Sequence, residues 1–279
     1  MRIVERGDEM QGRSRLWTQA GLRIGFVPTM GNLHAGHLDL VRAARRIADR
    51  VVVSIFVNPL QFDEAADFAA YPRTLEADLA QLEALGVDAA FVPAESTLYP
   101  RGREGIAFVE VPDLSDVLEG AHRPGHFRGV TTVVAKLFHL VGPDVAVFGE
   151  KDFQQLLIVR RMVADLDFPV EIVARPTVRE PDGLAMSSRN RRLDADLRAI
   201  APALYRVLRE TAEAVRAGGK PDGLEREAMT RLADAGFRPE YVAVRSAVDL
   251  GPPRADEPRV VLGAARLGDV RLIDNVRIA

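Results

Sequence analysis

Residues 51–57, VVVSIFV, restrict the fold more than any other stretch. A run of apolar, mostly β-branched residues without alternation suits a strand covered on both faces, as in a parallel sheet. Such a strand needs helices on either side, and the flanking sequence supplies them. Over 38–48, Leu38, Val41, Ala44, Ile47 and Ala48 repeat close to a 3.6-residue period. Residues 74–85 read as an amphipathic helix stopped by Gly86. Further strands are expected at 22–28, 88–92, 145–148 and 170–174. Further helices are expected at 130–141, before Gly142-Pro143, and at 153–166. Strands alternating with helices predict a right-handed, mostly parallel, Rossmann-like α/β sheet. Beyond Val178 the texture changes. Residues 193–216 read as one long helical stretch, 218–223 (GGKPDG) as a break and 224–235 as a helix. Strands are expected at 240–244, 259–265 and 270–274. The expected organisation is a domain over 1–177 and a smaller α+β domain over 178–279, the latter a lid over the active site.

Composition narrows the function. The chain has 279 residues, 47% hydrophobic and 28% charged, with a net charge of −3. That balance gives no support for a nucleic-acid or membrane-surface partner, so a bound anion must be held by a local cluster of donors. Cysteine is absent, which excludes disulfides, thiol catalysis and thiolate metal sites. No apolar run approaches the ~18–20 residues of a membrane span. The N-terminal MRIVERGDEMQGR lacks the apolar core of a secretion signal. The expected compartment is the cytoplasm.

Four constellations can carry chemistry. The first lies in residues 25–44, GFVPTMGNLHAGHLDLVRAA, where a strand hands over to a helix. In open parallel sheets, ligands bind beyond the carboxyl ends of the strands, where helix N-termini offer free N–H groups to phosphate. Gly31 and Gly36 allow close backbone approach there. His34 and His37 share one face of the first turn and can donate to phosphoryl oxygens as charge develops. A His-x-x-His pair can also ligate zinc, with His122 and His126 as further ligands. However, Pro124-Gly125 breaks the helical spacing of that second pair, and no H-E-x-x-H arrangement is present. The second constellation, FGEKD over 148–152, again runs from strand into helix and places Lys151 where anions bind. Asp152 suits a helix start or a ribose hydroxyl. The third is MSSRN over 186–190, small hydroxyls with Arg189, which suits outer phosphates or a polar linker. The fourth is a set of amides, Asn58, Gln61, Gln154 and Gln155, able to hold hydroxyl and carboxylate groups of a small substrate. Glu119 and Arg123 lie in LEGAHRPGHFRG, which has no helical pattern and reads as a flexible wall or lid.

H-A-G-H resembles the H-x-G-H signature of the nucleotidyltransferase superfamily, and M-S-S-R resembles its second phosphate loop. The ordered set VPTMGNLHAGH, SIFVNPLQF, YPRT, FGEKDFQQL and DGLAMSSRN is more specific and resembles the pantoate–β-alanine ligase family over most of residues 24–195. The resemblance implies Mg-ATP-dependent joining of pantoate to β-alanine through a pantoyl adenylate, releasing AMP and pyrophosphate. It further implies catalytic roles for His34, His37 and Lys151. Met30, Gly31, Gly149, Glu150, Asp152, Val178, Met186, Ser187, Ser188 and Arg189 would contact ATP. Gln61, Gln155, Asn58 and Arg123 would hold pantoate or β-alanine. Mg²⁺ would be carried mainly by ATP oxygens, with Asp78 a possible protein ligand. A homodimer is implied as well. Phe153 replaces a tyrosine common in the family, and Asn32 replaces a small residue. An adenylyltransferase sharing the loop, or a nucleotide-binding protein without turnover, would differ in the fate of AMP.

Overall fold

The computed structural model describes residues 1–63, 65–254 and 256–278. It divides into two compact units, Met1–Glu150 with Ile158–Pro176, and Lys151–Leu157 with Thr177–Ala279.

The first unit opens with β1 (Arg2–Val4), α1 (Gly7–Gln19), β2 (Ile24–Thr29), α2 (Ala35–Ile47) and β3 (Arg50–Ile55). There follow α3 (Ala65–Ala70), α4 (Leu75–Ala84), β4 (Ala89–Phe91), α5 (Glu95–Leu98) and α6 (Glu119–His122). The series ends with α7 (His126–Val141), β5 (Val145–Gly149), α8 (Phe153–Asp165), whose residues up to Leu157 count with the second unit, and β6 (Glu171–Arg175). The six strands form one sheet in the order β1-β4-β3-β2-β5-β6, and each of its pairings is parallel. This is the expected Rossmann-like arrangement. In β3, residues 51–55 are all buried, as a strand sandwiched between helical layers requires. From β2 the chain runs outward through β3 to β4, then returns to place β5 on the other side of β2. The strand order therefore reverses between β2 and β5, which opens a crevice beyond their carboxyl ends. The turn into α2 leaves β2 at that edge, and Gly149 closes β5 there.

The second unit holds α9 (Ala195–Ile200), α10 (Ala203–Arg216), α11 (Pro221–Asp234), β7 (Arg238–Ser246), β8 (Arg259–Leu267) and β9 (Val270–Ile278). Its sheet is antiparallel, β7-β8-β9. Leu204, Leu208 and Val215 on α10 and Leu232 on α11 join Val244, Val261 and Leu272 in one core. An antiparallel sheet with helices packed on it is the α+β pattern expected.

Two expectations are corrected and one unassigned stretch gains structure. The stretch 193–216 is not one helix, because α9 ends at Ile200 and α10 begins at Ala203. Pro202 has no N–H to extend the ladder of α9 and stands at the N-cap of α10. The stretch 118–129 is not pattern-free, since it forms α6 and the first turn of α7, separated by Pro124 and by Gly125 at φ 80°. Residues 2–19, unassigned from sequence, form β1 and α1. Helix α1 buries only Met10 and Ser14, too few apolar positions to show a period.

Candidate active site

Helix α2 starts with a reciprocal cap. His34 Nδ1 accepts the Gly36 N–H at 3.2 Å, and His37 Nδ1 accepts the His34 N–H at 3.4 Å. A capping box normally uses Ser or Thr with Glu; here two imidazoles do the same work. The bonds have a chemical consequence. With each Nδ1 accepting, the proton of each neutral ring sits on Nε2. The rings stand 4.0 Å apart at 35°, so the cap orients two Nε2–H donors together at a helix N-terminus. Gly36, expected to allow close backbone approach to a ligand, lies within α2 and gives its N–H to His34.

The loop before the cap is held from below by Asp78 on α4. Its Oδ2 accepts the Asn32 N–H and its Oδ1 the Leu33 N–H, each at 2.8 Å. Thr74 Oγ1 approaches both oxygens at 3.2 Å. Asp78 is 1% exposed. Its two oxygens are committed to this loop, so the expectation that it ligates Mg²⁺ gives way to a structural clamp. Gly31, at φ 76°, runs so close that an added Cβ would lie 3.0 Å from Asp78 Oδ2. Sequence did offer a signal: Asp78 and Leu82 fall four residues apart on the buried stripe of α4, and an acid there needs partners.

Beside the loop, the 3-10 turn Pro59–Gln61 presents Gln61. Its Nε2 donates to Met30 Sδ at 3.1 Å, and its Oε1 accepts from Asn58 Nδ2 at 3.1 Å. The amide orientation is thereby set. Asn58 also donates to the Gly129 carbonyl at 3.1 Å and accepts from Tyr99 Oη at 2.8 Å and from the Leu60 N–H at 3.3 Å. All four of its hydrogen-bonding positions are filled, so Asn58 orients Gln61 rather than holding substrate itself. The Gln61 carbonyl accepts from His126 Nδ1 at 2.7 Å and from Arg123 Nη2 at 3.1 Å. Arg123 Nε bonds Asp63 at 2.9 Å. Arg123 is therefore engaged with the Gln61 turn instead of forming a loose wall. Burial, followed by the Arg123 charge, lowers the His126 pKa to about 4. The ring is neutral at pH 7, in keeping with Nδ1–H donation. Sequence reasoning did not place His126 or Tyr99 in this network. Both are far from Gln61 along the chain, and no local spacing marks them.

In the second unit, Lys151 and Asp152 occupy the 3-10 turn Glu150–Asp152 together with Glu150 of the first unit. Lys151 Nζ lies 3.6 Å from Asp152 Oδ1. Gln155 follows in the first turn of α8, half-buried, beside buried Gln154. Met186 donates its N–H to the Val178 carbonyl at 3.0 Å. Ser187 caps the 3-10 turn Ser188–Arg192, its Oγ accepting the Arg189 N–H at 3.3 Å. Ser188 is buried and Arg189 half-buried. Of the residues expected at the nucleotide, Val178 and Met186 thus pair through backbone, and Ser187, Ser188 and Arg189 sit on a capped turn.

A parallel sheet whose turn from β2 into α2 carries H-A-G-H defines the class, an α/β protein of the H-x-G-H kind. The chain matches the Pantoate-beta-alanine ligase family over residues 2–277. A pantothenate synthetase from Thioalkalivibrio sulfidiphilus is 61% identical over 264 residues, 94% of this chain and 92% of that protein. The pantoate–β-alanine ligase of Schizosaccharomyces pombe is 53% identical over 263 residues, 94% of this chain and 93% of that one. The crystal structure of pantothenate synthetase from Thermus thermophilus superposes with a TM-score of 0.91 at 47% identity, over 100% of this chain and 99% of that one. The Francisella tularensis ligase, crystallised with a β,γ-form of ATP and β-alanine, superposes with a TM-score of 0.85 at 34% identity, covering 99% and 97% of the two chains. The chain belongs to the pantoate–β-alanine ligase family.

Proposed function

We propose that this chain condenses pantoate with β-alanine at the expense of ATP, in two steps. In the first, a pantoate carboxylate oxygen bonds to the α-phosphorus and pyrophosphate leaves. In the second, the β-alanine amine attacks the acyl carbon, AMP leaves with the electron pair of the broken C–O bond, and the ammonium proton goes to solvent or base. The observation that carries the reading is the reciprocal histidine cap, His34 and His37 with both Nδ1 atoms held by backbone N–H groups. The first step builds charge on phosphoryl oxygens, and preorganised donors serve it better than a strong base. His34 and His37 supply Nε2–H donors at the N-terminus of α2, where the dipole adds to their effect.

Lys151 neutralises phosphate charge, and Ser187, Ser188 and Arg189 take the outer phosphates. Met30 and Gly31 line the adenylate, Gly149 and Asp152 face the ribose, Glu150 contacts ATP, and Val178 and Met186 flank the nucleotide. Gln61, aimed by Asn58 and Met30, and Gln155 hold the hydroxyl and carboxylate groups of pantoate. Mg²⁺ enters as part of the Mg-ATP substrate, carried by phosphate oxygens. A homodimer, on the family resemblance alone, and a cytoplasmic compartment, on the sequence reading above, complete the proposal.

The test is AMP release by the purified protein with Mg-ATP and pantoate, with and without β-alanine. Steady AMP release only when β-alanine is added supports the ligase. AMP retained in a stable nucleotide product instead points to an adenylyltransferase. ATP binding without turnover refutes an enzymatic role.

A further inference from the structure

We infer that Arg179, Asp274 and Asn275 form a positioning anchor that sets Lys151 and the loop entering M-S-S-R in one register for the phosphates of ATP; the inference rests on the ligase reading above. All the residues involved lie in the second unit. Arg179, Asp274 and Asn275 belong to no motif that pointed to function, and the last two stand on β9.

The anchor has two arms. In one, Asn275 Nδ2 donates to the Lys151 carbonyl at 2.9 Å, across 124 residues of sequence. This bond fixes the backbone from which the Lys151 side chain extends. In the other, Arg179 Nη1 donates to the Gly183 carbonyl at 3.1 Å, holding the turn that leads into Met186–Arg189. Backbone pairing continues the hold, because Arg179 and Ala185 form an isolated antiparallel bridge and Asn190 Nδ2 donates to the Ala185 carbonyl at 3.0 Å.

The arms meet on β9. Asp274 receives the Arg179 guanidinium as a fork, Nη1 to Oδ2 at 2.6 Å and Nη2 to Oδ1 at 3.0 Å. Arg179 Nη2 also donates to the Asn275 carbonyl at 3.3 Å. The guanidinium lies 3.7 Å from the centre of the Tyr205 ring. Asp274 is 4% exposed. A buried ion pair is weak evidence for stability, since well-packed apolar residues often serve the fold as well. A bidentate fork instead fixes direction, because planar guanidinium and carboxylate meet in one geometry. Here that direction passes through adjacent residues of one strand to the Lys151 carbonyl and to the Gly183 turn. Displacing either would misplace a phosphate donor by a fraction of an ångström to an ångström, and rate is sensitive to shifts of that size.

Two variants of the full-length chain test the anchor. Asn275→Ala removes the bond to Lys151 with little change in bulk, and Arg179→Lys keeps the charge but loses the fork. Binding of ATP is titrated without pantoate, and steady-state constants are measured for ATP, pantoate and β-alanine. Thermal midpoints are recorded alongside. Asn275→Ala is expected to weaken ATP binding about tenfold, the equivalent of one hydrogen bond to a critical group. Its KM for ATP should rise and kcat fall while the KM for β-alanine stays native. Arg179→Lys should show the same split. Native ATP binding and native constants in Asn275→Ala would overturn the anchor, as would a lowered midpoint with native kinetics of the folded protein. A wild-type protein that binds ATP but forms no pantothenate would overturn the ligase reading instead. In that case the ATP titrations of wild type and variants still decide the anchor.

Discussion

Replacing Asp78 by asparagine isolates the clamp beneath the histidine loop. The side chain keeps its size, so α4 keeps its packing. In the native protein the two carboxylate oxygens each accept a backbone N–H at 2.8 Å, from Asn32 and from Leu33. In Asp78→Asn one oxygen becomes an NH₂ group, so one backbone N–H loses its acceptor and faces a donor. The other bond passes from a charged to a neutral acceptor. A hydrogen bond to a charged group contributes about 1.5–3 kcal/mol, and an orphaned buried donor costs about 1–3 kcal/mol. Relief from burying a charge offsets part of this. A net loss of roughly 3 kcal/mol follows. With a urea slope of about 3 kcal/mol per molar, the unfolding midpoint should fall by about 1 M. Trp17, the single tryptophan, lies on α1 in the same unit and reports that transition by fluorescence. The loop carries His34 directly after Leu33, so pantoate-dependent pyrophosphate release should fall by roughly 10²-fold, the cost of about an ångström of misplacement. The Mg²⁺ dependence of the residual activity should remain native. An unchanged midpoint would refute the clamp, and a raised Mg²⁺ requirement with a native midpoint would make Asp78 a metal ligand after all.

His37→Ala should lower pyrophosphate release by about 10²–10³-fold through loss of a transition-state donor. The accompanying loss of its half of the cap costs only about 1 kcal/mol, and near-native turnover would remove His37 from the mechanism. Gln155→Ala should raise the KM for pantoate well above any change in the KM for ATP, and an equal rise in both would disprove the assignment. Gly129→Ala would set a Cβ 2.2 Å from the Leu60 carbonyl oxygen, so the turn carrying Gln61 must move. A loss of about 1–3 kcal/mol is expected, with lower activity, and a native midpoint would show that α7 and the turn can part freely. His126, held neutral to about 4 against an ordinary 6.5, binds a proton in the unfolded chain before it does in the folded one. Its contribution is therefore full above 6.5 and lost as pH falls towards 4. His126→Gln should flatten the loss of stability across that interval, and an unchanged pH slope would refute the burial argument.

The parallel sheet was legible because its signal is local. Residues 51–55 are buried to the last position, and a strand with no solvent face reads as an unbroken apolar run. The antiparallel hairpins of the second unit were legible for the related reason that turns separate them, although β9 continues four residues past the expected end at Asp274. Asp274 and Asn275 interrupt the apolar pattern there while the ladder with β8 continues through Asp274↔Gly263 and Asn275↔Leu262. Polar residues inside a strand look like its end unless their partners are known. The break in 193–216 was missed because apolar spacing continues across Pro202; Leu197 and Leu204, on either side, both pack in the same core. Periodicity reports which face is buried, and the ladder of hydrogen bonds can stop while that face goes on.

The same distinction explains the site. H-A-G-H, G-E-K-D and M-S-S-R each sit at the junction of an element with a turn, where a few adjacent residues define both the backbone geometry and the donors. Their chemistry can be read without knowing the rest of the chain. The residues that aim those donors are of another kind. Asp78 reaches the loop across 46 residues to Asn32, His126 reaches Gln61 across 65, and Arg179 reaches Asp274 across 95. Each is a buried or half-buried polar group on an otherwise ordinary helix, strand or turn, and its meaning depends on a partner that spacing cannot identify. This separation also explains why Asn58 and Arg123 were expected at the substrate. Asn58 belongs to the same stretch as Gln61, Arg123 lies in the Gly- and His-rich stretch 118–129, and both carry suitable chemistry, yet their donors are spent on the Gly129 carbonyl, Asp63 and the Gln61 carbonyl. A motif marks where the chemistry occurs. Which of its polar groups face the substrate is decided by hydrogen-bond saturation, and that requires the fold.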